Sequence, residues 1–140
     1  MSVTTCETCH AQWPGDSYWI ADLGETIVYL NPDQFFTGAS LLALKRHATE
    51  LSQLTRGERT QLIEEVTVVA RALMDSFAAV KINYALLGNQ VPHIHWHVIP
   101  RLADDPAPRE APWAIVHDVR PVAPNEAARR ITRIRASLAS

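Results

Sequence analysis

Three of the six histidines, His93, His95 and His97, fall on alternating positions within Val91-Pro92-His93-Ile94-His95-Trp96-His97-Val98-Ile99-Pro100-Arg101. An extended strand sends every second side chain to one face. The spacing therefore predicts a row of three imidazoles, with Ile94, Trp96 and Val98 turned the other way into a core. Successive members of such a row stand roughly 6.5 Å apart, close enough to share a phosphate or a metal. Neutral imidazole serves as metal ligand, proton carrier or nucleophile, so the run points to a metal site or to phosphoryl transfer. A second reactive pair opens the chain: Cys6 and Cys9, the only two cysteines, form a Cys-x-x-Cys knuckle. That spacing is half of a zinc site or a redox pair, and the redox reading ranks last because no strand precedes Cys6. Two thiolates still lack two ligands, and His10, His47, His93 and His117 are the sources to consider.

The elements that must position these groups follow from the pattern of the chain. Tyr18 to Ala21 and Thr26 to Leu30 read as short strands around the turn at 22–25, and Ser40 to Leu44 resumes in extended form after Asn31-Pro32-Asp33 and Gly38. Thr55-Arg56-Gly57-Glu58 fits a capping box, which starts a long helix running to about Ala79. Its apolar positions Leu62, Ile63, Val66, Val69, Ala70, Leu73, Met74 and Phe77 recur at three and four, predicting one stripe against a sheet. Ile82 to Leu87 reads as a strand that turns at Gly88-Asn89 into the histidine strand. A last helix is expected from Pro124, with Ile131, Ile134 and Leu138 as a narrow stripe, and Arg129, Arg130, Arg133 and Arg135 on a solvated face.

With 140 residues, 47% of them hydrophobic, the chain can form one domain with a sizeable core. A net charge of −2 gives no electrostatic reason to expect nucleic-acid or membrane-surface binding. No signal peptide and no long apolar span is read, so a cytoplasmic protein is expected.

The His-apolar-His-apolar-His-apolar-apolar run, with the stretch from Lys81 that leads into it, resembles the signature of the histidine-triad (HIT) family, in a bacterial branch that carries a Cys-x-x-Cys knuckle. The likeness extends from about Cys6 to Trp113 and takes in the Asp-Pro and Pro-Trp pairs after the triad. It implies an α+β fold: an antiparallel meander sheet with one long helix packed on it and a C-terminal helix. One domain would cover 1–140, with 114–140 as a C-terminal extension. It implies a structural zinc held by Cys6, Cys9, His47 and His93, a closed site that leaves the chemistry without need of metal. The implied activity is a nucleotide hydrolase or nucleotidyl transferase that cleaves at the α-phosphate of a nucleoside phosphate or dinucleoside polyphosphate. His95 would be the nucleophile, and His97 would contact a phosphate oxygen or the leaving group and act as acid.

The same resemblance implies substrate contacts from Asn31 at the ribose, Asn83 near the nucleotide, and Asn89 or Gln90 at the phosphate, and it implies a homodimer. Read from the residues alone, Asn31 equally caps the turn before Pro32, Asn83 equally satisfies a strand edge, and Trp113 closes a base pocket, makes a dimer contact or simply packs. The chain departs from many HIT proteins at Ala39, where a fourth histidine often stands. That departure supports a slow-turnover nucleotide-binding module as an alternative. The other alternative is a zinc-dependent hydrolase in which the triad itself binds the metal.

Overall fold

A computed structural model describes residues 2–140; Met1 lies outside the described residues. Five strands, β1 (Trp19–Asp22), β2 (Thr26–Leu30), β3 (Ser40–Leu44), β4 (Lys81–Leu86) and β5 (His95–Arg101), form one antiparallel sheet in the order β1-β2-β3-β5-β4. Two helices complete the α+β fold, α1 (Arg56–Phe77) between β3 and β4, and α2 (Pro124–Ala139) at the end. Among the described residues no helix is long and apolar enough to cross a membrane.

β3 is buried along its whole length because it lies at the centre of the sheet with both faces covered. Leu42 pairs across to Trp96 and packs toward α1, while Leu41 and Ala43 stand opposite His97 and His95 on the other face. The period-2 pattern of the histidine strand is thus obeyed: Trp96 and Val98 enter the core, and His95 and His97 face away from the helices.

α1 begins at the expected capping box, in which Thr55 Oγ1 accepts from the Glu58 amide and the Glu58 carboxylate accepts from the Thr55 amide. Its buried stripe is Leu62, Val66, Val69, Ala70 and Leu73, each large member stabilising the fold by about 1.5–3 kcal/mol. Ile63 and Met74, expected on the stripe, are exposed because they lie at its edge, rotated off the sheet. Glu65 is buried instead. Its carboxylate accepts from the amides of Glu25 and Thr26, from Thr26 Oγ1 and from Gln61 Nε2, fastening the β1–β2 hairpin to the helix.

α2 buries Ala127, Ile131 and Ile134 in the same core as α1. Its arginines are less solvated than expected. Arg130 bonds Gln34 Oε1, and Arg135 donates to the carbonyls of Ile20 and Trp19, so two of the four tie α2 to the sheet and its loops.

Candidate active site and metal cluster

The expected row of three histidines is split. β5 starts only at His95, and His93 lies in a bend within the eight-residue connection, 87–94, that stands in place of the tight turn expected at Gly88-Asn89. Pro92, which has no amide hydrogen to give to a ladder, stands next to that bend. His93 consequently serves one site and His95 with His97 another.

His93 Nε2 lies 2.6 Å from the Leu44 carbonyl. A carbonyl only accepts, so Nε2 carries the proton and Nδ1 presents a lone pair. That lone pair meets Cys6 Sγ at 3.3 Å, Cys9 Sγ at 3.5 Å and His47 Nδ1 at 3.2 Å, and Cys9 Sγ is 3.4 Å from His47 Nδ1. All four ligand atoms lie within 4.8 Å of one another. A tetrahedral ion with nitrogen at about 2.0–2.1 Å and sulfur at about 2.3 Å sets its ligand atoms roughly 3.3–3.8 Å apart, close to these four separations, so the donor set fits a metal. The topology explains the meeting: β3 and β5 are neighbours paired at Ala43 and His95, and His47 and His93 follow and precede those residues closely. Burial and the neighbouring Cys6 push the Cys9 thiol up to about 11, so a cation is what would draw that sulfur into a thiolate. His10 is exposed and outside the cluster, and His117 stacks instead on Phe35 with ring centroids 3.7 Å apart.

His95 is buried, and its Nδ1 lies 2.7 Å from the His93 carbonyl, to which it must donate. The imidazole is thereby fixed in the tautomer whose Nε2 carries a lone pair, and no described residue hydrogen-bonds that nitrogen. His97 lies beside it, ring centroids 5.2 Å apart. Burial lowers the His95 pKa below the ordinary histidine value, and burial and the neighbouring His95 bring His97 down to about 4. Both imidazoles are therefore neutral at pH 7.

The two histidines open onto a pocket of about 340 Å³ walled by the 87–91 loop, Trp13 and Trp113. Asn89 and Gln90 line it together with His95 and His97. Asn31 and Asn83 do not. The Asn31 amide oxygen accepts from the Asp33 amide, capping the turn at the end of β2. Asn83 Oδ1 accepts from Arg101 and borders a neighbouring groove beside the 108–113 segment. Ala39 is buried just before β3, so no imidazole enters from that strand.

Two groups were not legible as site residues. Trp13 sits edge-to-face on His95 with centroids 4.8 Å apart, and it reaches that place because its amide and that of Gln12 bond back to the Glu7 carbonyl, next to Cys6. The only sequence signal was its position four residues beyond the knuckle. Arg101 closes the histidine motif and spends all five of its N–H donors, on both Asp105 oxygens, Asn83 Oδ1 and the carbonyls of Ala107 and Glu110. The loop so fastened leads to Trp113, which lies edge-to-face on His97 at 5.1 Å.

A five-stranded antiparallel sheet with the pair His95 and His97 on one face and a separate cysteine–histidine cluster at its strand ends defines an α+β class whose cluster and pocket are distinct. The HIT domain family profile matches residues 16–104, and on that match the chain belongs to the histidine-triad family. Among solved structures, a histidine triad protein from Bradyrhizobium japonicum is similar at 30% identity over 86% of this chain and 89% of its own, with a TM-score of 0.78. A zinc-bound histidine triad family protein from Mycobacterium smegmatis shares the fold at 22% identity, covering 99% of this chain and 96% of its own, with a TM-score of 0.73. The diadenosine triphosphate hydrolase of Plasmodium falciparum shares it at 15% identity over 89% and 78%, with a TM-score of 0.68. No match was found among curated protein sequences.

Proposed function

We propose that this protein is a nucleotide hydrolase or nucleotidyl transferase acting at the α-phosphorus of a nucleoside phosphate or dinucleoside polyphosphate. The observation that carries the reading is the 2.7 Å hydrogen bond from His95 Nδ1 to the His93 carbonyl, which leaves Nε2 as an unprotonated nucleophile at the pocket. Nε2 forms a P–N bond while the bond to the leaving group breaks, and the leaving group departs with the electron pair. Water then attacks phosphorus, the P–N bond breaks, and imidazole and nucleotide are restored. His97, neutral in the free protein, donates an N–H hydrogen bond to a phosphate oxygen and does not hold a spare proton in advance. Asn89 and Gln90 supply amide donors on the other side of the phosphate. Membership of the histidine-triad family and the likeness to the Plasmodium hydrolase support this reading.

The metal is zinc in this reading, since two sulfurs and two imidazole nitrogens in a tetrahedron suit it and a zinc-bound relative shares the fold. Cys6, Cys9, His47 and His93 would hold the ion, and the bend so held would fix His93 and, through the His93 carbonyl, the ring of His95. The alternative in which the triad itself binds a catalytic metal is disfavoured by the division of labour: His93 turns its lone pair to the cysteines, away from the pocket.

The test is mass spectrometry of protein quenched milliseconds after mixing with diadenosine triphosphate. The wild type is expected to carry an adenylyl group and one zinc ion in native spectra, and His95→Asn to carry the zinc alone. Turnover with no adduct, abolished by chelation, would replace the reading with a metal hydrolase.

A further inference from the structure

Four rings run in an unbroken series across the mouth of the pocket. Trp13 meets His95 at 4.8 Å, His95 meets His97 at 5.2 Å, and His97 meets Trp113 at 5.1 Å, every contact edge-to-face. The two indoles thus bracket the position where phosphorus must sit to reach His95 Nε2. Trp13 packs against the core residues Tyr29, Leu41 and Ala43, whereas Trp113 stands largely in the open. Trp113 is 55% exposed, and Trp13 is only half-buried. Folding gains little from an indole as open as that of Trp113, yet both indoles are held in place by fastenings remote from their rings. Trp13 rides on the arm that the cysteine–histidine cluster pins to the sheet, bonded back to Glu7. Trp113 follows the loop that Arg101 ties down with four hydrogen bonds, from a side chain 3% exposed. Between them the pocket offers amides and imidazoles for a phosphate but no second large apolar surface except Leu87 and Val91.

We propose that Trp13 and Trp113 are the stacking surfaces that grip a planar ring of the substrate beside the reacting phosphorus, making this protein selective for phosphates that carry an aromatic ring over bare sugar phosphates. The proposal rests on the nucleotide reading above and adds the residues that set its specificity. Indole presents a large π-face at low entropic cost, and stacking on a base tolerates any base identity, so the predicted selectivity is for a ring as such and not for one nucleobase. The metal cluster acquires a second consequence: by anchoring the arm it fixes the distance of Trp13 from His95.

The experiment uses the whole protein labelled with 5-fluorotryptophan, whose four fluorine resonances are assigned with Trp13→Phe and Trp113→Phe. Adding AMP is expected to shift the Trp13 or Trp113 resonance saturably and to leave Trp19 and Trp96 in place. Ribose 5-phosphate is expected to shift neither. Trp13→Leu and Trp113→Leu should weaken AMP binding in at least one variant by roughly fivefold to a hundredfold, with ribose 5-phosphate changed less than twofold and the phenylalanine variants close to wild type. AMP that binds without moving either resonance, or leucine variants that weaken both ligands equally, would overturn the proposal. Because the resonances report on the wild-type sequence, a leucine variant that fails to fold does not stall the test. An adenylyl adduct formed by a protein whose indoles ignore AMP would sink this inference alone. Ring-dependent shifts with no adduct would sink the nucleotidyl-transfer reading and leave the stacking surfaces standing.

Discussion

At His95 the carbonyl of His93 does the work that a carboxylate does in a serine protease, holding one ring nitrogen as donor so that the other stays a lone pair. The nucleophile then needs no base, and its readiness depends only on remaining neutral. Burial lowers the His95 pKa from its ordinary value of 6.5, and His97 stands at about 4. A lowered pKa means that the active, unprotonated form persists as pH falls through 6.5 and is lost only below it. The rate of adduct formation under single-turnover conditions is therefore expected to stay level from pH 8 to 6.5 and to decline at a lower pH. An acid limb centred at or above 6.5 in a rapid-quench pH series would show that the imidazole is not desolvated as described. His97→Gln, which keeps a donor near the phosphate, should slow the step by roughly 10²–10³-fold if the hydrogen bond acts mainly on the transition state, with little change in substrate affinity.

The site is assembled by two fastenings outside the sheet, and the one at the end of β5 is testable by itself. The Arg101 and Asp105 side chains are both 3% exposed, and their 2.6 Å ion pair is the hub of the loop that carries Trp113. Arg101→Met leaves the Asp105 carboxylate buried without its partner, at a cost of about 3–5 kcal/mol. The double variant with Asp105→Leu removes the stranded charge and should recover much of that loss, which equilibrium urea unfolding of the two proteins measures directly. A single variant within 1 kcal/mol of wild type would mean that the loop is held by its backbone instead. This hub marks where sequence reading stops. The strands, the capped helix and the histidine motif were legible because each is written in a local period: two for β5, three and four for α1. The cluster of Cys6, Cys9, His47 and His93 was legible only through the family resemblance, since nothing local to the knuckle selects His47 over His10. Glu65 in the core, Arg101 with five acceptors and Trp13 against His95 depend on chain segments tens of residues apart coming into contact, and no period records that. Asn31 illustrates the same limit in reverse: its turn-capping bond is local and readable, while any role at a ribose is not.

For the molecule as a whole, the sheet order leaves one edge conspicuous. The edge strands are β1 and β4; Arg135 of α2 bonds the Trp19 and Ile20 carbonyls of β1, which leaves β4 as the open edge. β4 pairs with β5 alone, and Tyr84 on it and Leu87 just beyond are 49% and 53% exposed. An unpaired edge with apolar side chains invites another strand, and an antiparallel strand can pair with its own copy about a twofold axis, which closes the assembly at two chains. A homodimer joined through β4 is accordingly expected, one sheet continuing into the other and the two pockets lying near the junction, since the 87–91 loop follows β4 directly. Sedimentation equilibrium at micromolar concentration should give twice the chain mass. Tyr84→Asp, which sets like charges against each other across the axis, should shift the protein toward monomer by at least tenfold in dissociation constant. Ile63→Asp, on the exposed side of α1 and 47% exposed in the wild type, adds the same charge away from the edge and should leave the dimer intact. The reverse pattern would move the interface to α1, and a wild type that stays at one chain mass would remove the dimer.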